Sequence, residues 1–202
     1  DSKRWIEKTL EKERQYCVHN PAKTWFYIWQ SEQILIANIT PKLLPLHIGY
    51  KTISPDELLK HIANMADMYF RVAANFNVKL DEGLSNYGID GQGNLHYLDD
   101  DIYKWDNFTG LTQILGVWFR QSEWLTQEYA QRLGTIFQEV LLKYFTDTHW
   151  IVVISRQLNS LFYANKSQIE RKQYFLKGFE KIHSIKGINK KQQPPKVEGK
   201  RF

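Results

Sequence analysis

Ser54-Pro55-Asp56-Glu57 starts a helix around which the rest of this chain must pack. Ser54 supplies a hydroxyl cap, and Pro55 takes the first helical position, where a missing N–H costs nothing. Glu57 stands three residues after the cap, spaced to reach back to it. Leu58, Ile62, Met65, Ala66, Tyr69, Phe70 and Ala73 follow at helical spacing, so the helix should run to about Asn77 with a continuous apolar stripe. A stripe of that length needs several neighbours. The same periodicity predicts helices near residues 107–120, 123–144, 147–163 and 166–183, and a one-sided amphipathic helix over 3–17 carrying Trp5, Ile6, Thr9, Leu10 and Tyr16.

The strand signals are short. Trp25 to Trp29 and Ile34 to Ile39 are aromatic and β-branched runs separated by polar residues, the pattern of a hairpin. Pro41 and Pro45 stiffen the connector Thr40 to Leu46 that follows. Val78 to Asn86 reads as loop. Tyr87-Gly88-Ile89 and Leu95 to Leu98 then flank the turn Asp90-Gly91-Gln92-Gly93-Asn94 as a second hairpin, and after Asp101 the chain reads as helical. The expected class is α+β, predominantly helical, without internal repeats.

Composition removes several function classes. A chain of 202 residues, 43% hydrophobic, can bury one good core. No run of eighteen apolar residues is present, so no membrane span is expected, and Asp-Ser-Lys-Arg-Trp lacks a signal-peptide layout. The single cysteine, Cys17, excludes an internal disulfide framework and a cysteine-rich metal site; it reads as a residue packed on a helix in a reducing cytoplasm. The net charge of +5 invites a nucleic-acid partner, but from Ser184 to Phe202 six basic residues face one acid, which accounts for all of it. The remaining body is formally neutral and carries no basic face suited to phosphate backbones. The tail, with Pro194 and Pro195, reads as a solvated, disordered or semi-extended end, with docking to an acidic partner or membrane surface as the alternative. The six histidines lack ligand spacing, and the seven tryptophans, Trp105, Trp118, Trp124 and Trp150 among them, read as core on helical apolar stripes.

Chemistry concentrates in residues 78–101, Val-Lys-Leu-Asp-Glu-Gly-Leu-Ser-Asn-Tyr-Gly-Ile-Asp-Gly-Gln-Gly-Asn-Leu-His-Tyr-Leu-Asp-Asp-Asp. Phosphoryl transfer needs a carboxylate to orient and accept from an attacking hydroxyl, and oxygen ligands to hold magnesium on phosphates. A loop after a long helix can present Asp81 and, five residues on, Asn86, while the hairpin behind it returns Asp99 to their side. The bland alternative is structural: Asp81 capping the loop, Asn86 bonding backbone groups and Asp99 ending a strand. The turn at Asp90 superficially matches a calcium loop, but a strand precedes it where an EF-hand requires a helix.

The stretch Asp81-Glu82-Gly83-Leu84-Ser85-Asn86 resembles the Asp-x4-Asn catalytic loop of the protein-kinase-like superfamily, which includes protein kinases and aminoglycoside or choline phosphotransferases. The thirteen positions from Asn86 to Asp99 are the family's common spacing to its metal-binding aspartate. The resemblance implies Asp81 as catalytic base or orienter, and Asn86 and Asp99 as magnesium ligands. Asn38, Ile39 and Leu43 would border the adenine of ATP at the hinge. It also implies a division into a partial upper lobe and hinge (1–48), a helical lower lobe (49–183) and a basic tail (184–202), with a reduced upper lobe of helix plus hairpin.

Departures from the family shape the alternatives. Lys79-Leu80 stands where protein kinases have His-Arg, and Asp100-Asp101 where they have Phe-Gly, which leans toward small-molecule phosphotransferases. No glycine precedes Gly49, so the glycine-rich phosphate loop is missing, and no strand before the first helix carries a lysine for Glu7, Glu11 or Glu13; either the chain begins after three missing strands or the upper lobe is naturally reduced. Three readings follow. The chain is an ATP- and magnesium-dependent kinase-like phosphotransferase acting on a hydroxyl of a protein or small molecule; or a pseudokinase scaffold whose upper lobe is completed by a protein partner or subunit; or a helical interaction domain.

Overall fold

The computed structural model describes residues 2–181; the tail expected to be disordered lies outside the described residues. Within that range the chain is α+β, with seven helices and three small antiparallel sheets. No helix among the described residues is long and apolar enough to cross a membrane.

The core is organised by α3 (Pro55–Phe76). The Ser54 hydroxyl accepts from the Glu57 backbone N–H at 3.2 Å, and Asn77, in the left-handed region at φ 56°, stops the helix. Phe70 is fully buried and meets Tyr69, Phe108, Phe137 and Phe145 at ring-centroid distances of 5.6 to 6.4 Å, all edge-on. The helices α4 (Thr109–Gln121), α5 (Gln127–Tyr144), α6 (His149–Ser160) and α7 (Lys166–Phe179) surround this centre. They begin and end within a few residues of the expected positions. Of the tryptophans read as core, Trp118 is buried and Trp105, Trp124 and Trp150 pack against the core from partly exposed positions, whereas Trp25 stands outside it and Trp5 and Trp29 are exposed, which corrects the expectation for the N-terminal three.

The N-terminal part is thinner. The helix α1 (Ser2–Gln15) buries only Thr9 and Glu13, and Trp5 instead packs edge-on against Trp25 at 5.4 Å. Cys17 is exposed, at φ 55° in the turn that ends α1, which corrects its expected place in helix packing. Strands β1 (Thr24–Gln30) and β2 (Gln33–Ile39) form an isolated two-stranded sheet with Trp25 opposite Asn38. None of their fourteen residues is charged, and Trp29 and Ile39 are 67% and 64% exposed.

Three short pieces depart from expectation. The connector contains β3 (Leu44–Pro45), paired to β5 (Tyr87–Ile89), and the short helix α2 (Leu46–Gly49). The segment expected to be loop holds β4 (Val78–Leu80), paired with β7 (Ile102–Lys104), so the chain is not yet helical after Asp101. Three-residue strands are too short to show an alternation, and their partners lie more than twenty positions away, so periodicity cannot report them. The hairpin of β5 and β6 (Leu95–Tyr97) stands where the sequence places it.

Close packing of α5 on α7 depends on two glycines. A Cβ at Gly134 would collide with the Phe175 carbonyl, and one at Gly178 with the Gln131 carbonyl. Alanine gains about 1 kcal/mol of helix propensity, whereas overpacking against backbone that cannot yield costs roughly 1–3 kcal/mol or more. Gly134→Ala should therefore be a net loss, of about 2 kcal/mol in urea unfolding. Gly91→Ala, whose added methyl meets nothing within 4 Å, should stay within experimental error; equal behaviour of the two variants would contradict the packing.

Candidate functional site

Tyr97 brings the two halves of the candidate site together. The antiparallel pairing of β4 with β7 ends at Leu80 opposite Ile102, and that of β5 with β6 at Tyr87 opposite Tyr97, with Leu98 N–H donating to the Asn86 carbonyl at 2.8 Å. The Tyr97 hydroxyl sits between these ends. It accepts from the Asp81 backbone N–H at 2.9 Å and donates to the Asp101 carbonyl at 2.9 Å. Burial pushes its phenol far above the ordinary tyrosine value, opposed by the Asp81 N–H and reinforced by the carboxylates of Asp99 and Asp81. It stays a donor at every relevant pH, and both carboxylates bear on it.

Asp81, Asn86 and Asp99 are each partly exposed around this centre. The Asp81 Oδ1 accepts from the Gly83 N–H at 2.8 Å. A methyl built on Gly83 would lie 3.1 Å from that oxygen and 3.3 Å from the Asn86 Nδ2, so the two side chains converge over Gly83. Asp99 Oδ1 accepts from the N–H groups of Asp100 and Asp101 at 2.7 and 3.2 Å. One oxygen of each aspartate thus serves the local backbone, as the structural alternative requires. Among the described residues the second oxygens, and the whole Asn86 amide, carry no hydrogen bond. Tyr87, fully buried beside the same acids, has a hydroxyl without a partner.

On the N-terminal side the structure supplies a cation that sequence reasoning missed. Glu13 of α1 is buried and bonds Lys23 Nζ at 2.8 Å, and Lys23, its side chain only 7% exposed, also pairs with Asp100, next to Asp99. His19 meets the other Glu13 oxygen at 2.8 Å, and Lys23 lies 4.6 Å from the Trp25 ring centroid. The cation that partners Glu13 follows it by ten positions. Burial raises the Asp100 carboxyl above its ordinary value, with Lys23 opposing.

Of the residues placed by resemblance against an adenine, Leu43 packs over Gly88 of β5, within 2.9 Å of a built Cβ, close to the site. Asn38 and Ile39 lie at the open end of β2 and are exposed. Asp90 is used by its turn: its oxygens accept from Gln92, Asn94 and His96, and the His96 bond above all holds its carboxyl far below the usual range. Nothing remains for calcium. Among the described residues no three His, Cys, Asp or Glu side chains converge as a metal site.

Beneath Asp81 lies a second network. Glu82 is buried at 7% exposure, where it accepts from the Tyr69 hydroxyl at 2.9 Å and Lys79 Nζ at 3.0 Å. Lys79 reaches on to Asp106 at 2.7 Å, and Asp106 accepts the Gly110 N–H in the first turn of α4 at 2.9 Å. Burial pushes the Glu82 carboxyl up, only partly countered by Lys79. Burial also pulls on the Lys79 ammonium, but Asp106 and Glu82 outweigh it and hold its value up. The Lys79 side of the loop opens on a cavity of about 550 Å³ that Asp81, Glu82 and α4 help to line.

Comparison with protein-family models, curated proteins and solved structures finds no match.

Removing Lys79 tests the second network. Lys79→Met leaves Glu82 and Asp106 without their cation and should cost about 2–4 kcal/mol, below the range for fully buried pairs because Asp106 is partly solvated. A raised folded-state value means Glu82 favours folding below its unfolded pKa and loses that contribution as pH rises through the folded one. The variant should therefore lose more at pH ~8 than at pH ~5, where Glu82 can protonate. Urea titrations at both pH values with equal losses would count against a buried, charged Glu82.

Proposed function

We propose that the chain is a phosphotransferase of protein-kinase-like fold that moves the γ-phosphoryl group of ATP to a hydroxyl. The observation that carries this is the convergence of Asp81 and Asn86 over Gly83, with Asp99 bearing on the same tyrosine and an uncommitted oxygen on each acid. The donor set suits magnesium, a hard cation that prefers oxygen and keeps several sites for phosphate and water. The Asp99 carboxylate and the Asn86 amide could hold it without a closed protein cage.

Magnesium, when bound, neutralises phosphate charge that would repel the attacking oxygen. Asn86 and Asp99 would hold the cation, and the Tyr97 bonds fix the loop that carries Asp81. The free oxygen of Asp81 orients the acceptor hydroxyl and receives its proton as the hydroxyl oxygen bonds to phosphorus and the bond to the ADP oxygen breaks. Lys23, already neutralised by Glu13 and Asp100, ties Asp100 in place next to Asp99. Leu43 offers an apolar contact for the adenine, with Asn38 and Ile39 further out along the hinge.

A second reading, the pseudokinase scaffold, draws on the hairpin of β1 and β2. Two uncharged strands with exposed aromatic and aliphatic side chains and no further strand pairing among the described residues leave open edges of a kind proteins normally protect. In this reading a protein partner or subunit completes the sheet and catalysis is dispensable.

Thermal unfolding with and without magnesium-ATP separates the two. Ligand at a hundred times its dissociation constant adds about 2.7 kcal/mol. The wild-type chain should show a magnesium-dependent rise. Asp99→Asn should abolish it, while Asp81→Asn should keep it and lose turnover. No rise in the wild type would sink the phosphotransferase reading. For the scaffold, Ile28→Lys combined with Leu35→Lys, a cross-strand pair, should abolish any concentration-dependent association in sedimentation velocity without lowering the melting temperature of the helical body. Unchanged association would remove the hairpin as the interface.

A further inference from the structure

The cavity beneath Asp81 has two charged ends of different character. One long wall is a single stripe of α4, with Gly110, Gln113, Ile114, Val117 and Arg120 at helical spacing. At the near end Lys79 is already neutralised by Glu82 and Asp106. At the far end Arg120 makes one long bond, 3.4 Å, to the Phe162 carbonyl and pairs with no carboxylate among the described residues. Its guanidinium folds back over α4, 3.3 Å from a Cβ built on Gly116. Gly116 lies six residues beyond Gly110, a rise of roughly 9 Å along the axis. Ile114, Val117 and Leu161 make the space between apolar. The volume, about 550 Å³, is that of a small-molecule site.

We propose that this cavity binds a small hydroxyl compound with an anionic group, carboxylate or phosphate, at its other end: Arg120 holds the anion and the hydroxyl lies against Asp81. That the compound accepts the phosphoryl group rests on the phosphotransferase reading, but its binding does not. An unpaired guanidinium is a fork for a two-oxygen anion, and the apolar middle sets the distance at which the hydroxyl meets Asp81. Neutral polyols would lack the anchor.

The test is a titration of the wild-type chain, without nucleotide, with γ-hydroxybutyrate and glycerol phosphate, and with their uncharged counterparts, the methyl ester and glycerol, followed by ligand-observed NMR. At least one anion should bind, its neutral counterpart should bind at least about tenfold more weakly, and Arg120→Gln should lower the anion's affinity by a similar factor. Which anion binds identifies carboxylate or phosphate as the anchor group. Gln113→Glu, an exposed change on the same stripe, should also weaken anion binding, while both variants keep the wild-type melting temperature. Binding of neither anion, equal binding of anion and neutral counterpart, or no effect of Arg120→Gln would overturn the proposal. Arg120-dependent binding with no magnesium-ATP stabilisation would leave this site standing and remove the phosphotransferase reading alone.

Discussion

A carboxylate buried under the loop that bears Asp81 constrains much of what surrounds it. Glu82 has lost most of its water and must recover hydrogen bonds from the protein, because an unpaired buried charge costs several kcal/mol. It takes them from Tyr69, in the middle of α3, and from Lys79, on β4. Lys79 passes the connection to Asp106, which holds the first turn of α4. Helix, strand, loop and following helix therefore meet at one ion network. The turn before α4 pays for that meeting with two consecutive left-handed residues, Asn107 and Phe108. Burial of the Phe108 ring among Phe70, Phe145 and Trp150 offsets that strain.

Above the loop the polar side chains are arranged differently. Tyr97 ties backbone to backbone across the two hairpin ends, and the acids spend only one oxygen each on local turns. A structural role is complete with those bonds. The remaining oxygens and the Asn86 amide belong to partly exposed residues; Asp100, next to Asp99, pairs with Lys23, and Asp81 helps to line the α4 cavity. Ionised groups left that way need a cation or water to stabilise them, and this makes the loop a candidate for ligand chemistry. The two flanking cations differ in kind. Lys23 is held by two carboxylates, whereas no carboxylate among the described residues holds Arg120.

Much of the helical body was legible because its signals are local. The cap at Ser54, the stripe from Leu58 to Ala73 and the periodicity downstream depend on spacings of three and four residues, and helices form where they predict. The hairpin around Asp90 was legible because glycines at Gly91 and Gly93 and the acceptor side chain of Asp90 specify a turn by themselves. What failed was short or distant. β4 and β7 are three residues each, and neither has a pattern without the other. Cys17 ends α1 in a left-handed turn that no residue-type preference announces. Trp29 looks like a core residue by composition, yet the strand it lies on has solvent around it.

The sequence by itself determined which elements exist and which residue types the loop can offer, since propensity, capping and spacing act within a few residues of chain. Asp81, Asn86 and Asp99 could be singled out on those grounds. Only the tertiary structure decided what faces them. Lys23 reaches Asp100 across 77 positions, and Lys79 reaches Asp106 across 27, by contacts that exist only after α1, the sheets and α4 have packed. The state of a charge depends on its burial and on such partners. That is why Glu82, read in the sequence as one residue of a loop, became the pivot of the fold, and why Arg120, read as part of a helix, became the unpaired end of a cavity.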